Sequence, residues 1–290
     1  MEGIVLKKHG GFYYVMENDI LFECKLAGKQ KFHQNLHIVA GDLVHFEPQN
    51  DELCGVITEV KERKNFIPRP GLANIDQLLI VASIKSPDYD SFLLDKMIAL
   101  SRYYKIHPSI CISKIDLSND FEKQRIKDIY LHTGIEIFFT DIAGDLAHLE
   151  KFLKNKITAL TGNSGVGKSS LINRLLGEEK QAVQNISLKL NRGKNTTRTS
   201  EFFPLENGYI IDTPGFSALD IDRIMKKEEL KYLYWEYEEY SHLCKYHNCT
   251  HVHEPHCEIK NKIAEGFFSQ ERYDNYIKLI KEISETKNYN

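Results

Sequence analysis

Over the first 68 residues apolar and polar positions alternate in short runs. GIVLKK, GFYYVM, ILFECKL, DLVHFEP and CGVITEV are rich in β-branched and aromatic residues. Turn signals at Gly10-Gly11, Asn18-Asp19, Gly41-Asp42 and Asn50-Asp51 separate them. Alternation turns one face of each strand inward, and five short strands in so little chain predict a small closed barrel, an OB-fold before other choices. The segment IPRPG, Ile67 to Gly71, predicts a rigid linker, because two prolines disfavour helix and remove backbone donors.

The pattern then changes. IDQLLIVASI, PSICISK and GIEIFFT are near-continuous apolar runs, and NKITALTG is a fourth. Helical spacing fills the intervals near Phe92 to Tyr104, Phe121 to His132 and Leu146 to Leu153. Strands alternating with helices predict a parallel sheet covered on both faces. SSLINRLLG predicts a further helix, and TSEFFPL with GYIIDTPG an antiparallel pair. From about residue 226 the chain is charged and mostly helical, ending in QERYDNYIKLIKEISE. There Tyr273, Tyr276, Ile277, Ile280 and Ile283 form an apolar stripe expected to be packing surface. Three domains are expected, at 1–68, 69–225 and 226–290.

Composition narrows the classes. The chain has 290 residues, 42% apolar and 27% charged, as in a globular protein with real cores. No apolar run approaches the roughly 18 residues of a membrane span. The N-terminus MEGIVLKKHGGF lacks the order of a signal peptide, so a cytoplasmic protein without membrane partners is expected. A formal charge of −3 does not favour nonspecific nucleic-acid binding. Lys61, Arg63, Lys64 and Arg69 cluster locally, as do Lys189, Arg192, Lys194 and Arg198; a solvated face is the plain reading of both. Of six cysteines, three crowd with four histidines into CKYHNCTHVHEPHC, a metal-ligand pattern. Cys24, Cys54 and Cys111 lie in strand-like runs and are expected in cores.

The strongest chemical signal is TALTGNSGVGKSSLINRLLG. Gly162, Gly167, Lys168 and Ser169 satisfy G-x-x-x-x-G-K-S between a strand and a helix. Backbone amides from Gly162 through Asn163, Ser164, Gly165, Val166 and Gly167 to Ser170 are expected to close around phosphates at a helix N-terminus. Lys168 would meet the β- and γ-phosphates and Ser169 a Mg²⁺ ion. Downstream, DTPG puts Asp212 near that ion and the Gly215 amide at the γ-phosphate, while NTTR offers Thr197 to the ion. Upstream, SKID offers Asp116 to guanine N1–H and the 2-amino group, with Ser113 and Lys114 bracing the loop. The competing reading makes Asp116 a cap of the following helix. FFTDIAG would brace the base through Thr140 or through backbone groups. In an ordinary GTPase the base motif follows the phosphate loop; here it precedes it, as if the sheet had been cut and rejoined.

Taken together, the β-rich start, the phrase IPRPGLANIDQLLIVAS, the order SKID, GNSGVGKS, NTTR, DTPG and the terminal Cys/His cluster resemble the circularly permuted, ribosome-small-subunit-dependent GTPases of the RsgA or YjeQ/YloQ type, over essentially the whole chain. The resemblance implies a multidomain α/β protein: an N-terminal OB-fold barrel, a circularly permuted P-loop GTPase domain and a C-terminal helical zinc-binding unit. It implies GTP and GDP as ligands, Mg²⁺, and late maturation of the small ribosomal subunit through rRNA and ribosomal-protein contacts. A monomer is expected. Two departures stand out. Ser113 replaces the usual Asn of the base motif, and Asn195 replaces a His before the Thr pair. The residue after DTPG is the apolar Phe216, so slow intrinsic hydrolysis is expected, with Asn195 and Thr197 as the candidate catalytic residues.

For the metal, Cys244, Cys249, His251 and Cys257 give C-x₄-C-x-H-x₅-C, suited to one structural, tetrahedral Zn²⁺. His247, His253 and His256 compete as ligands; the resemblance favours His251. Phe12, Tyr13 and Tyr14 are candidates for stacking on RNA bases, although alternation sends some of them into the barrel. Two other functions fit parts of the pattern: a P-loop ATPase acting on nucleic acid, and a zinc-stabilised RNA-binding protein whose nucleotide site does not hydrolyse.

Overall fold

The computed structural model describes residues 1–27, 37–49, 53–177, 200–205, 207–213, 215–216 and 219–285. Strands β1 (Glu2–His9), β2 (Phe12–Glu17), β3 (Ile20–Leu26), β4 (Leu43–Gln49) and β5 (Cys54–Val60) close into a barrel of order β1-β2-β3-β5-β4. Only β3 and β5 pair in parallel, which with β4 closing on β1 is the OB arrangement. Alternation works as expected: Tyr13 and Val15 turn inward, while Phe12 and Tyr14 are half-exposed. The interior is filled by Val5, Tyr13, Val15, Phe22, Cys24, Ile38, Val44, Phe46 and Ile57, with the Phe22 and Phe46 rings 5.0 Å apart. Cys24 is core, whereas Cys54 is only half-buried.

The first basic cluster is not a free cationic face. Arg63 bonds both oxygens of the fully buried Asp42, at 2.7 and 2.8 Å, and the carbonyl of His37 at 2.7 Å. Lys61 pairs with Glu2 at 2.5 Å, and Lys64 with Asp76. IPRPG is not a plain linker either. Strand β6 (Phe66–Ile67) pairs with β7 (Leu72–Ala73), so the prolines occupy the turn of a small hairpin, where missing donors cost nothing. Buried Ile67, Leu72 and Ala73 hold that hairpin down, a use of apolar side chains that proline content masks.

Further along run β8 (Gln77–Ser83), α1 (Ser91–Tyr103), β9 (His107–Ser113), α2 (Asp120–Ile129), β10 (Ile137–Phe139), α3 (Ala147–Leu153), β11 (Ile157–Thr161), α4 (Lys168–Leu175), β12 (Glu201–Leu205) and β13 (Gly208–Asp212). Among the longer C-terminal helices are α5 (Glu258–Ala264) and α6 (Gln270–Glu285). The sheet order is β10-β9-β8-β11-β13-β12, with β9 and β10 parallel, β11 and β13 parallel, and β12 antiparallel to β13. Contacts divide the chain into two interleaved compact units, residues 1–77, 147–160 and 169–216 in one, and residues 78–146, 161–168 and 217–290 in the other. Among the described residues no helix is long and apolar enough to cross a membrane.

Helix α6 departs from its apolar stripe. It buries Arg272, Asn275, Tyr276, Leu279 and Ile283, and leaves Tyr273, Ile277 and Ile280 half-exposed. Arg272 donates from Nε to Glu236 and from Nη1 to Asp95, and lies over the Tyr234 ring. Asn275 donates to the other Asp95 oxygen at 2.8 Å. Arg102 completes the group, 3.2 Å from Glu236 and bonded to the Leu233 and Thr133 carbonyls. Burial drives Asp95 up to about 6 against the pull of Arg272. Burial acts on Glu236 in the same sense, but two arginines overcome it and hold that carboxyl below its usual range.

Candidate functional site

Strand β11 ends at Thr161, and the chain turns through Gly162 to Gly167 before α4 begins at Lys168. Gly162 has φ 143°, and a Cβ there would stand 2.1 Å from the Val81 carbonyl oxygen. Gly165 and Gly167 also have positive φ, so the loop needs its glycines to curl. Val166 is buried, which anchors the loop, while Asn163, Ser164, Ser169 and Ser170 are exposed. The Lys168 ammonium donates to the Gly162 and Asn163 carbonyls, both at 2.8 Å, and so lies across the loop. Curled amides, an ammonium and a helix N-terminus together favour phosphate.

The base motif joins this loop although 53 residues separate Ser113 from Val166. Ser113 ends β9, and its hydroxyl donates to the Val166 carbonyl at 2.6 Å. Lys114, in a left-handed conformation, donates to the Gly165 carbonyl at 2.8 Å and to the Ser86 carbonyl. Asp116 lies exposed on the 3₁₀ turn Ile115–Leu117. It does not cap α2. Asn119 does so, its side chain accepting the Glu122 amide at 2.9 Å while Glu122 accepts the Asn119 amide at 3.0 Å. The Asp116 carboxylate is thereby left for a ligand. Thr140, expected beside the base, has a buried side chain 3.5 Å from the Cys111 sulfur. Its carbonyl instead accepts the Ile115 amide at 3.3 Å and holds the SKID turn from behind.

At the end of β13, Asp212 precedes Thr213, whose hydroxyl donates to the Leu160 carbonyl at 2.7 Å. Gly215 has φ 87°, and Phe216 is fully buried, so it offers a reacting water nothing polar. Asn195 and Thr197 lie outside the described residues, as does the cluster from Lys189 to Arg198.

The second centre is the Cys/His knuckle. Ligand atoms of Cys244, Cys249, His251 and Cys257 all lie within 4.8 Å of one another, and all four residues are buried. His251 Nδ1 is 3.4 Å from the Cys257 sulfur and 3.7 Å from that of Cys244. Its Nε2 is 3.3 Å from the Ser241 hydroxyl, which itself donates to the Tyr237 carbonyl, so Nε2 carries the proton and Nδ1 faces the sulfurs. Burial, with help from Lys231, lowers His251 to about 4 and keeps the imidazole neutral. Burial pushes the Cys249 thiol up to about 12. Three sulfurs and one nitrogen at this spacing fit tetrahedral zinc. His247, His253 and His256 are exposed.

Several residues that motif reading missed shape this knuckle. Tyr273 donates to the His251 carbonyl at 2.7 Å and Tyr276 to that of Thr250 at 2.6 Å. Glu254 accepts the Thr250 and Val252 amides and the Thr250 hydroxyl, and these bonds outweigh burial to hold it down at about 2. Such contacts carry no spacing rule, and Glu254 has no motif of its own in the sequence.

With this geometry in hand, comparison with known proteins is decisive. The family model described as RsgA GTPase matches residues 60–222, and that of the RsgA N-terminal domain matches residues 2–57. The chain belongs to the RsgA GTPase family. A curated RsgA relative from Clostridium perfringens, named small ribosomal subunit biogenesis GTPase RsgA, is 39% identical over 285 residues, covering 98% of each chain. The relative of the same name from Clostridium acetobutylicum is 40% identical over 291 residues, covering all of both. Among solved structures, YloQ, described as a circularly permuted GTPase, matches with a TM-score of 0.83 at 31% identity, covering 98% of this chain and 95% of that one. YjeQ from Thermotoga maritima matches at 0.80 and 33%, covering 97% and 98%. The permuted order inferred from SKID and the phosphate loop is thus the order of the RsgA family.

Proposed function

We propose that this chain is a Mg²⁺-dependent GTPase that binds the small ribosomal subunit, through rRNA and ribosomal proteins, and couples GTP hydrolysis to late subunit maturation in the cytoplasm. The observation that carries the reading is the tie between base and phosphate loops, Ser113 to Val166 and Lys114 to Gly165. It gives one nucleotide a base reader and a phosphate cradle together. The names of the curated relatives support the ribosomal role.

In this reading Asp116 accepts guanine N1–H and the 2-amino hydrogens, a pairing adenine cannot supply. Amides from Gly162 to Ser170, with Gly215, hold phosphate oxygens, and Lys168 offsets charge that grows on the β–γ bridge. Ser169 and Asp212 are hard oxygen donors of the kind Mg²⁺ takes. When bound, the ion supplies further charge neutralisation. Water attacks the γ-phosphorus, the bridge bond breaks, and GDP and phosphate leave. Asn195 and Thr197 are the candidate catalytic residues. Domains 1–68, 69–225 and 226–290 serve as RNA-binding barrel, GTPase and zinc unit in a monomer, the zinc having a structural role.

The test is GTP turnover with and without purified small subunits. Subunits raise turnover at least about tenfold, some 1.4 kcal/mol of barrier. Asn195→Ala lowers the stimulated rate more than GTP affinity, and Lys168→Ala lowers both. Bound subunits that fail to stimulate overturn the coupling. ATP competing as well as GTP overturns the guanine reading.

A further inference from the structure

Residues 84–90, between β8 and α1, are mostly exposed, yet they are held at both ends. At one end the Ile84 amide donates to the Ser113 carbonyl at 3.2 Å, and the Lys114 ammonium donates to the Ser86 carbonyl. The same ammonium reaches the Gly165 carbonyl of the phosphate loop at 2.8 Å, and Pro87 Cδ lies 3.8 Å from the place a Gly165 side chain would begin. Ser83 donates to the Pro87 carbonyl at 2.7 Å. Ser86 has φ 57°, a left-handed conformation that a residue with a side chain keeps only where its surroundings over-determine it. The shape of the segment is therefore imposed by what holds it.

At the other end, Asp90 caps α1 by accepting the Leu93 amide at 3.0 Å. The next residue, Ser91, is gripped by α6. Asn275, only 2% exposed, donates one amide hydrogen to the Ser91 hydroxyl at 3.1 Å and the other to the Asp95 carboxylate at 2.8 Å. Further along the same two helices, Lys96 pairs with Glu282 at 2.6 Å. We propose that residues 84–90 are a strap coupling α6 to the nucleotide loops, with Asn275 as the positioning residue at its far end. Loosening α6 releases Ser91 and the strap, Lys114 loses the Ser86 carbonyl as a fixed partner, and the loops grip nucleotide less tightly. Coupling is reciprocal, so nucleotide tightens α6 by the same factor. A macromolecule that grips the C-terminal helices thereby tunes GTP affinity without touching the nucleotide. This deepens the GTPase reading above by naming a regulation of its site, and rests on that reading.

The full chain, titrated with a fluorescent GDP and followed by hydrogen exchange with and without GDP, tests this. Asn275→Ala weakens GDP about three- to fivefold, the scale of one lost hydrogen bond. Ser91→Ala, at a half-buried position, weakens it about twofold or more, and the double variant is no weaker than Asn275→Ala, because both remove one shared contact. Gln270→Ala, on the same helix but bonded to Asp274, leaves affinity unchanged. In the wild type GDP slows exchange of α6 amides about three- to fivefold, and Asn275→Ala abolishes that slowing. An Asn275→Ala protein that binds GDP like wild type, or wild-type α6 amides that exchange alike with and without GDP, overturns the coupling and leaves Asn275 a packing residue. Where Asn275→Ala fails to fold, Ser91→Ala and the wild-type exchange decide in the same way. A wild type that binds no GDP overturns the GTPase reading instead, so the two failures are distinct.

Discussion

Nine side chains without a charge among them fill the barrel, whereas the surroundings of α6 bury two arginines, an aspartate and a glutamate near three cysteines and a histidine. An apolar core gains stability in many small increments, about 25 cal/mol per Å² removed from water, and a truncated side chain forfeits only its share. A buried ionic group behaves otherwise. Each charge is tolerable only while its partner is present, because desolvation is already incurred. Apart from buried Asp42 and its partner Arg63, the barrel should therefore fail gradually under mutation and the surroundings of α6 abruptly. The lone tryptophan, Trp235, stacked 4.2 Å from the Arg102 guanidinium, reports on the charged surroundings of α6.

Metal removal should break the comparison most visibly. Structural zinc sites contribute about 10–16 kcal/mol of apparent binding energy that is also folding energy. Metal analysis is expected to find about one zinc per chain. Cys249→Ser, or a strong chelator, should release it, shift Trp235 emission and expose amides of α5 and α6 to hydrogen exchange. Barrel amides should keep their protection and GTP binding should largely survive. Simultaneous loss of barrel protection would mean the two regions stand or fall together.

Next comes Arg272→Met, which keeps the apolar stem but strands Asp95 and half of Glu236. Breaking a buried pair from one side typically costs about 3–5 kcal/mol. The cost should depend on pH in a stated direction. Burial already raises Asp95 to about 6, and Arg272 is the main influence pulling it down. Without Arg272 the carboxyl rises further, so the folded variant holds a proton that the unfolded chain has released. The stability of the variant then falls as pH rises above about 6, and its deficit should be larger at pH 8 than at pH 6. Asp95→Asn in the same background should remove that slope. A deficit independent of pH would place the damage elsewhere than Asp95.

The same contrast explains what could be read from residues. Barrel strands, sheet strands and the phosphate loop are legible because each rests on a periodicity or on glycines at fixed spacing, and both survive translation into geometry. The partnership of SKID with GNSGVGKS is legible once permutation is allowed, and Ser113 and Lys114 do meet Val166 and Gly165. Arg272 and Asn275 are not legible. On a helix face they look like solvent-facing polar residues, and only the fold brings Asp95, 177 residues away, to meet Arg272. The hairpin inside IPRPG is hidden by its prolines. Long-range polar pairing has no local signature; periodic burial does.

The finest test sets one conservative substitution in each region side by side. Ile57→Val in the fully buried barrel core removes one methylene, with an expected cost of about 0.5–1.5 kcal/mol in hydrogen exchange of barrel amides. Arg272→Lys removes no charge and little volume, so a core that counted only area or net charge would suffer less from it. Yet Arg272 addresses Glu236 from Nε and Asp95 from Nη1, two directions fixed by one planar group, and stacks on Tyr234. A lysine ammonium is a single point on a flexible stem and cannot serve both carboxylates in that geometry. Arg272→Lys should therefore cost more than Ile57→Val, each read as the loss of hydrogen-exchange protection in its own region, while zinc content and GTP affinity stay at wild-type values in Ile57→Val. If Arg272→Lys proves the milder of the two, the network tolerates rearrangement, and the C-terminal unit is held by its metal and aromatic packing rather than by matched charges.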